Sequence, residues 1–169
     1  ARVRGIDLRE PTDDRTADLL REAFTRYGVL CFPDQKITPE DQLRFANLFG
    51  RGDGAFRDRS SGNLRKSASR GVMLVSNIRK DGVPIGSLPD GEMQFHTDGA
   101  HRQHPYRATT LYAIRIPSQG GDTLFANLSA AYDTLSDEMK ARIEDLETAC
   151  VYDYAATSRD TIGSDPDLP

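Results

Sequence analysis

The sequence is poor in the residues that build several common kinds of site. It contains no tryptophan, three histidines and two cysteines. Cys31 and Cys150 are far apart and fit no metal-binding or redox spacing, so we expect two buried free thiols in a reducing cytoplasm. No apolar run approaches the roughly 20 residues of a membrane span, and the N-terminal residues lack an apolar signal segment. The sequence therefore predicts a cytoplasmic protein with no membrane partner.

The composition is that of a folded chain without a strong charge bias. The 169 residues suffice for one domain with a real core, and 37% of them are hydrophobic. The net charge of −4 gives no sign of a nucleic-acid surface. Basic residues cluster in 51–70, where they alternate with Asp, Gly and Ser, which favours a mobile loop over a phosphate-binding patch. We interpret residues 51–70 as a candidate lid over a binding site.

Two helices are predicted in the first 50 residues. Apolar residues at helical spacing follow Thr12, which can cap the first helix, and Gly28 stops that helix. The second helix begins at Thr38 with Pro39 at its first position and is expected to end at Gly50. The second helix carries Leu43, Ala46 and Phe49 on one face.

The rest of the chain is predicted to alternate short strands with one more helix. That helix opens at Ser136, and Met139, Ile143 and Leu146 are expected to face inward. No helix follows each strand regularly, so a doubly wound sheet is not indicated and the predicted class is α+β, in a single domain without repeats. The predicted strands are Val29 to Phe32, Val72 to Ile78, Arg107 to Ile116, Asp122 to Ala126 and Glu147 to Tyr154.

His96 and Asp98 form the pattern that carries the most chemistry. On an extended segment, residues two apart point to the same side, so an imidazole and a carboxylate can bind one ion. A facial triad of two His and one carboxylate leaves three iron positions open, enough for an α-keto acid and O2. Such triplets also occur by chance, and the alternative is a surface histidine near a turn-forming Asp-Gly.

Several further motifs occur in a fixed order and spacing around this pair. They are Gly28-Val29-Leu30-Cys31-Phe32, Asp34-Gln35, Ile37-Thr38-Pro39-Glu40, Phe49-Gly50, Phe95-His96-Thr97-Asp98, Ile116-Pro117-Ser118, Gly120-Gly121-Asp122-Thr123-Leu124-Phe125, Ala130-Ala131-Tyr132 and Leu135-Ser136. Together they resemble the taurine dioxygenase (TauD/TfdA) family, which includes the aryloxyalkanoate dioxygenases. The resemblance runs through nearly all of the chain.

The resemblance implies a fold and a set of roles. The implied fold is mainly β, a distorted double-stranded β-helix (jelly roll) with flanking helices. His96 and Asp98 match the first two iron ligands, and Thr123 matches a residue whose hydroxyl contacts 2-oxoglutarate. The family's second His ligand and its 2-oxoglutarate-binding Arg fall beyond residue 169. Residues 1–169 are therefore expected to be the N-terminal part of one jelly-roll domain, lacking its later strands, and neither His101 nor His104 is expected to be a ligand.

The reaction that the resemblance implies is an oxidation dependent on Fe(II), 2-oxoglutarate and O2. Decarboxylation to succinate and CO2 accompanies hydroxylation of an unactivated C–H bond in a small polar substrate. The presence of Asp98 argues against halogenation, whereas desaturation and ring formation remain open. Asn77 and Glu92 are candidate substrate contacts, and an acidic Glu92 would favour a cationic group. Glu92 can equally be a solvated loop residue.

Two other functions remain open on the sequence. One is a metal-dependent cupin that does not use 2-oxoglutarate, although such proteins usually place more histidines in one short motif. The other is a non-catalytic jelly-roll binding protein that has lost the third ligand. Family members are often dimers or tetramers, so a homo-oligomer is expected, and neither nucleic acid nor membrane is a predicted partner.

Overall fold

The computed structural model describes residues 1–50, 67–69, 72–86 and 95–150. The chain divides into two units. Unit 1 comprises Ala1–Gln94 and Arg107–Thr123, and unit 2 comprises Phe95–Tyr106 and Leu124–Pro169.

The first helix of unit 1, α1, spans Asp14–Tyr27. Its N-cap is Asp13, whose carboxylate accepts a hydrogen bond from the Thr16 amide at 2.9 Å. The prediction of Thr12 as the cap was therefore wrong by one residue, because the carboxylate of Asp13 satisfies a free amide of the first turn. Gly28 ends the helix as predicted, with a φ of 70° that few other residues adopt readily.

The second helix, α2, spans Pro39–Ala46. Thr38 caps it as predicted, and Asp41 completes a capping box by accepting from the Thr38 amide. The predicted end at Gly50 was wrong, since the regular helix stops at Ala46 and the chain continues in tighter turns. Those turns, with the Phe49 amide donating to the Ala46 carbonyl at 3.1 Å, carry Phe49 into the core.

An aromatic cluster forms the core of unit 1. The Phe45 ring contacts Phe32 and Phe49 edge-on, with centroids 5.0 and 5.6 Å apart. Phe24 of α1 meets Phe49, beyond the end of α2, in the same way at 5.3 Å, so the two helices are joined through Phe49. The buried cluster is Leu8, Leu20, Phe45 and Phe49, with Val3, Ile6, Phe24, Leu30, Phe32, Ile37, Leu48 and Ala108 packed against it.

The strands of unit 1 form two short antiparallel pairs. Strand β1 (Ser67–Ser69) pairs with β2 (Val72–Met73), and β3 (Arg79–Lys80) pairs with β4 (Val83–Pro84). Between β3 and β4, Asp81 and Gly82 both have positive φ, at 51° and 78°, as a two-residue hairpin turn with the native twist requires.

The predicted strands are shorter than expected or absent in the described part of the chain. Residues 29–32 contribute a single parallel bridge between Arg2 and Cys31, and the strand predicted from Val72 is regular only to Met73. No strand forms in 107–116, 122–126 or 147–150; the rest of the last prediction, 151–154, lies outside the described residues. The physical reason is that a strand requires a partner to accept its ladder of hydrogen bonds, which periodicity alone does not supply.

Residues 107–116 are nevertheless attached to the helices of unit 1. The Gln42 side-chain amide donates to the Thr110 carbonyl at 3.1 Å, and the Tyr112 hydroxyl donates to the Gln35 carbonyl at 3.3 Å. The Gln35 side chain also binds the N-terminal segment, since its Oε1 accepts from the Leu8 amide at 3.0 Å. Among the described residues, side-chain hydrogen bonds rather than a strand ladder thus attach residues 107–116.

Unit 2 contains two short helices. Helix α3 spans Leu128–Asp133 and α4 spans Asp137–Ile143. Ser136 caps α4 as predicted, accepting from the Met139 amide at 3.2 Å. The expectation that Met139 and Leu146 face inward was wrong, since they are 40% and 70% exposed, and neither helix has a buried residue.

Three general expectations can be compared with this architecture. The described residues are mixed α and β, but they show two two-stranded sheets rather than a mainly β jelly roll. Cys31 and Cys150 are free, as predicted, but both are exposed rather than buried. Within the described ranges, no helix has the length and apolar character needed to cross a membrane.

Candidate functional site

His96 and Asp98 are in direct contact in unit 2. The His96 Nε2 atom lies 3.2 Å from the Asp98 Oδ1 atom, and the two side chains are 50% and 45% exposed. The prediction that one imidazole and one carboxylate meet at this motif therefore agrees with the geometry. The cause differs from the one expected, because the segment is not a regular strand and the chain turns at Asp98.

A tight turn sets the position of the carboxylate. The Ala100 amide donates to the Thr97 carbonyl at 3.2 Å, which places Asp98 and Gly99 at the two central positions. Gly99 has a φ of +72°, the backbone conformation that the third position of a type II turn requires and that favours glycine. Gly99 thus permits the turn that sets the direction of the Asp98 side chain.

The pair has the geometry and chemistry of two ligands of one metal ion. Two donors bound at about 2.1 Å and at right angles lie about 3 Å apart, close to the separation of His96 Nε2 and Asp98 Oδ1. Imidazole with carboxylate is also a donor set that suits Fe(II). In the part of the chain that is described, no group of three or more His, Cys, Asp or Glu side chains is placed to hold a metal. A metal ion bound by this pair would therefore require further ligands.

A cavity of about 250 Å³ opens beside the histidine. His96 and Thr97 supply its polar lining, whereas Asp98 does not line it. The cavity is open, because the larger apolar side chains that line it are mostly exposed. The apolar lining residues are Phe95, Leu124, Phe125, Ala126 and Leu128.

The other predicted site residues are placed as follows. Thr123 is exposed and is the last residue of unit 1, followed directly by the cavity-lining Leu124. Asn77 is exposed in unit 1, between β2 and β3. Glu92 and most of the candidate lid, 51–70, lie outside the described residues. Among the predicted site residues that the structure describes, His96 and Asp98 are in direct contact.

His101 and His104 are both exposed, and in the described ranges neither joins a metal-binding group with the pair. That they are not ligands stays a prediction. Sequence reasoning missed the apolar wall, because Leu124 and Phe125 were assigned to a strand without a stated role. The signal that could have found them is their position directly after Thr123, a residue already assigned to the site.

Comparisons with known proteins match this chain over almost its whole length. The family description "Taurine catabolism dioxygenase TauD, TfdA family" matches residues 1–167. The "(S)-phenoxypropionate/alpha-ketoglutarate-dioxygenase" of Sphingobium herbicidovorans is 33% identical, over 86% of this chain and 47% of its own length. The "Alpha-ketoglutarate-dependent 2,4-dichlorophenoxyacetate dioxygenase" of Cupriavidus pinatubonensis is 30% identical, over 96% of this chain and 58% of its own.

A solved structure gives the same result for the fold. The crystal structure of AAD-2 in complex with Mn(II) and N-oxalylglycine superimposes with a TM-score of 0.62 and 34% identity. That match covers 85% of this chain and 50% of the solved chain. The present chain thus spans about half the length of the relatives it matches.

Proposed function

The chain belongs to the TauD/TfdA family of alpha-ketoglutarate-dependent dioxygenases, and from that premise we propose that the protein is an Fe(II)- and 2-oxoglutarate-dependent oxygenase. (Alpha-ketoglutarate and 2-oxoglutarate are the same compound.) Its reaction is the hydroxylation of an unactivated C–H bond in a small polar substrate. The observation that carries the proposal is the 3.2 Å contact between His96 and Asp98 beside an apolar cavity.

In this reaction, the residues of this chain would bind and orient the iron and 2-oxoglutarate. His96 Nε2 and Asp98 Oδ1 would hold the iron, and the Thr123 hydroxyl would donate a hydrogen bond to a carboxylate oxygen of 2-oxoglutarate. A second histidine and an arginine from outside residues 1–169 would complete the site. Bound iron supplies the activation of O2, which a protein side chain does not provide.

The proposed reaction balances in atoms and electrons. The substrate R–H, 2-oxoglutarate and O2 give R–OH, succinate and CO2. One oxygen atom enters the new hydroxyl and the other enters the new carboxylate of succinate. The keto acid supplies two electrons as it loses CO2, and the C–H bond supplies the other two. In the complete protein, the apolar side chains around Phe125 would limit the access of water to the reactive site once the rest of the fold covers them.

The metal and cosubstrate assignments have support in the solved relative. AAD-2 was crystallised with Mn(II) and N-oxalylglycine. Mn(II) has the charge and ligand preferences of Fe(II), and N-oxalylglycine has the two carboxylates of 2-oxoglutarate with an NH in place of one CH2 group. The site proposed for this chain would hold Fe(II) in place of Mn(II) and 2-oxoglutarate in place of N-oxalylglycine.

Two residues are proposed to contact the substrate. Asn77 would do so through its side-chain amide, and the Glu92 carboxylate would pair with a cationic group of the substrate. Exchanging Glu92 for Gln would then weaken binding of a cationic substrate while leaving a neutral analogue unaffected. Equal affinity of both variants for the cationic compound, measured by calorimetry, would remove Glu92 from the proposal. Residues 51–70 are proposed to form a lid over the site. The remaining strands of the jelly roll are proposed to come from outside residues 1–169. The proposed assembly is a homo-oligomer.

The test is the visible spectrum of the full-length protein without oxygen, recorded after addition of Fe(II) and then 2-oxoglutarate. We expect a weak charge-transfer band that marks the chelated keto acid and is absent in His96→Ala. His104→Ala is the matched control, because it removes an exposed histidine outside the pair and should leave the band intact.

The other outcomes identify the alternatives. Bound iron without the band would mean that 2-oxoglutarate is not the cosubstrate, as in a metal-dependent cupin. Absence of iron binding in the wild-type protein would contradict the proposal and favour a non-catalytic binding protein. A band that persists in His96→Ala would place the iron elsewhere.

A further inference from the structure

We propose that Gly99, Arg102 and Tyr106 form a positioning cluster, here called the Tyr106 brace, which holds the Asp98 carboxylate in place for metal binding. The inference rests on the proposed function, since it concerns the same ion. None of the three residues is proposed to touch the metal. Their role is to fix the turn that carries the ligand.

The brace begins with two consecutive turns behind Asp98. The Ala100 amide donates to the Thr97 carbonyl at 3.2 Å, and the Arg102 amide donates to the Gly99 carbonyl at 2.9 Å. Gly99 belongs to both turns, as a central residue of the first and the acceptor of the second. Any displacement of Gly99 therefore moves Asp98, to which it is bonded directly.

The Tyr106 ring packs against the backbone of Gly99. A Cβ atom built on Gly99 would lie 2.9 Å from Cδ2 and 3.0 Å from Cε2 of Tyr106, closer than such contacts normally occur. The space beside Gly99 is therefore filled by the ring. Removing the ring leaves one side of the turn without a packing partner, and the well-packed position of Gly99 is lost.

Arg102 fixes the ring in turn. Its guanidinium carbon lies 4.9 Å from the centroid of the Tyr106 ring, within the range of a cation–π contact. The Arg102 Nε atom is buried and has no hydrogen-bond partner among the described residues. The contact with the Tyr106 ring is thus the described interaction that positions this guanidinium group.

These contacts link Arg102 in series to Asp98, the proposed metal ligand. Arg102 holds Tyr106, Tyr106 holds Gly99, and Gly99 fixes the direction of Asp98. The result is the 3.2 Å separation between Asp98 Oδ1 and His96 Nε2, which suits two ligands of one ion. Residues that orient ligands in this way commonly change metal affinity by about 10- to 100-fold when removed.

The experiment measures Mn(II) affinity of the full-length protein by titration, with free Mn(II) followed by electron paramagnetic resonance. Tyr106→Leu should weaken the affinity about 10- to 100-fold. Tyr106→Phe keeps the ring, so its Mn(II) affinity should remain within about 2-fold of that of the wild type. This conservative variant should therefore preserve the function that Tyr106→Leu loses. The matched control is Tyr132→Leu, which removes a similar ring–cation pair with Lys140 in the same unit, at 5.5 Å, and should also leave the affinity unchanged.

A spectroscopic reading separates positioning from general loss of structure. Co(II) bound to the wild-type protein gives visible absorption bands that depend on the arrangement of its ligands. These bands should shift in Tyr106→Leu at saturating Co(II) and stay unchanged in Tyr132→Leu. If Tyr106→Leu does not fold, the pair Arg102→Met and Arg102→Lys serves instead, with weakened affinity expected only for Arg102→Met, which lacks the cation.

The failure of this inference differs from the failure of the proposed function. Wild-type protein that binds no Mn(II) would contradict both. Wild-type protein that binds Mn(II) and loses it in His96→Ala, but keeps full affinity and unchanged Co(II) bands in Tyr106→Leu, would overturn the brace alone. Equal weakening by Tyr106→Leu and Tyr132→Leu would also overturn it, because the effect would then not be specific to the turn.

Discussion

Residues 1–50 and residues 95–150 differ in how far their apolar side chains are buried. Every buried hydrophobic residue in the described ranges belongs to the first region, where two capped helices close on an aromatic cluster. In the second region, Phe95, Leu124, Phe125 and Leu128 are each at least 67% exposed, yet these are the residues that line the cavity beside His96. Within the described ranges, the region that holds the candidate metal-binding pair is thus the one with the least packing.

The strongest way to sharpen this comparison is to truncate one phenylalanine in each region. Phe45→Ala should destabilise the 169-residue chain by about 3–5 kcal/mol, because Phe45 is buried and meets two other rings. Phe125→Ala, the matched control, should change the free energy of unfolding by no more than about 0.5 kcal/mol, since its side chain is 67% exposed. Urea unfolding followed by circular dichroism measures both. Equal losses would break the comparison and mean that Phe125 is packed in solution.

A smaller contrast is expected between the caps of α2 and α4. Thr38→Ala should destabilise the chain by about 1 kcal/mol, because α2 carries Phe45 into the core and its first turn loses the capping box. Thr38→Ser keeps the hydroxyl and should retain most of the stability. Ser136→Ala removes the corresponding cap of α4, a helix that buries no residue. It should leave the cooperative unfolding transition where it is, and a shift as large as that of Thr38→Ala would contradict the distinction.

The smallest expected effect is the response to acid. In the first region, the hydrogen bond and charge of Arg9 lower the pKa of Asp7 from 3.8 to about 2. A carboxylate with a lowered pKa stabilises the folded state above its ordinary pKa, and this contribution is lost as the pH falls from 3.8 through about 2. Because Asp7 and Arg9 are exposed, the slope should be shallow.

The measurement is the urea midpoint of the chain at several pH values on either side of that window. Asp7→Asn should make the curve flatter between pH 3.8 and about 2, relative to wild type. The pKa of Asp41 is also lowered, mainly by hydrogen bonds from Thr38, so some acid dependence should remain in the variant. An unchanged slope in Asp7→Asn would show that the ion pair with Arg9 does not contribute.

The features that sequence predicted correctly depend on contacts within a few residues. The Gly28 stop, the Thr38 cap with Pro39, and the Ser136 cap each arise from one turn of backbone, so the local sequence specifies them. The contact between His96 and Asp98 belongs to the same class. The cap at Asp13 was misplaced because Thr12 and Asp13 are both good caps and adjacent.

The features that sequence did not predict depend on partners distant in the chain or on irregular backbone. Residues 107–116 have the composition of a strand, but in the described structure they contact side-chain amides of Gln42 and the carbonyl of Gln35 rather than another strand. The Tyr106 brace joins residues seven positions apart through irregular turns, a spacing that no periodicity marks. The cavity wall could not be assigned either, because alternation along 122–126 predicts burial but not what is buried beside it.

The hydrogen bond from Gln42 to the Thr110 carbonyl has a consequence for the order in which the protein is made. It joins residues 68 positions apart, and Ala108 packs on the same core. At about 5–20 residues per second, the ribosome needs roughly 3–14 s to add those residues. In the later part of that interval, both helices and the residues of the aromatic cluster have been synthesised, while this edge of the cluster and the Gln42 amide still lack their contacts with residues 108–110. We expect this to be the period in which a chaperone that binds apolar surface would engage the nascent chain, and an arrested chain ending before Thr110 would be the form it retains.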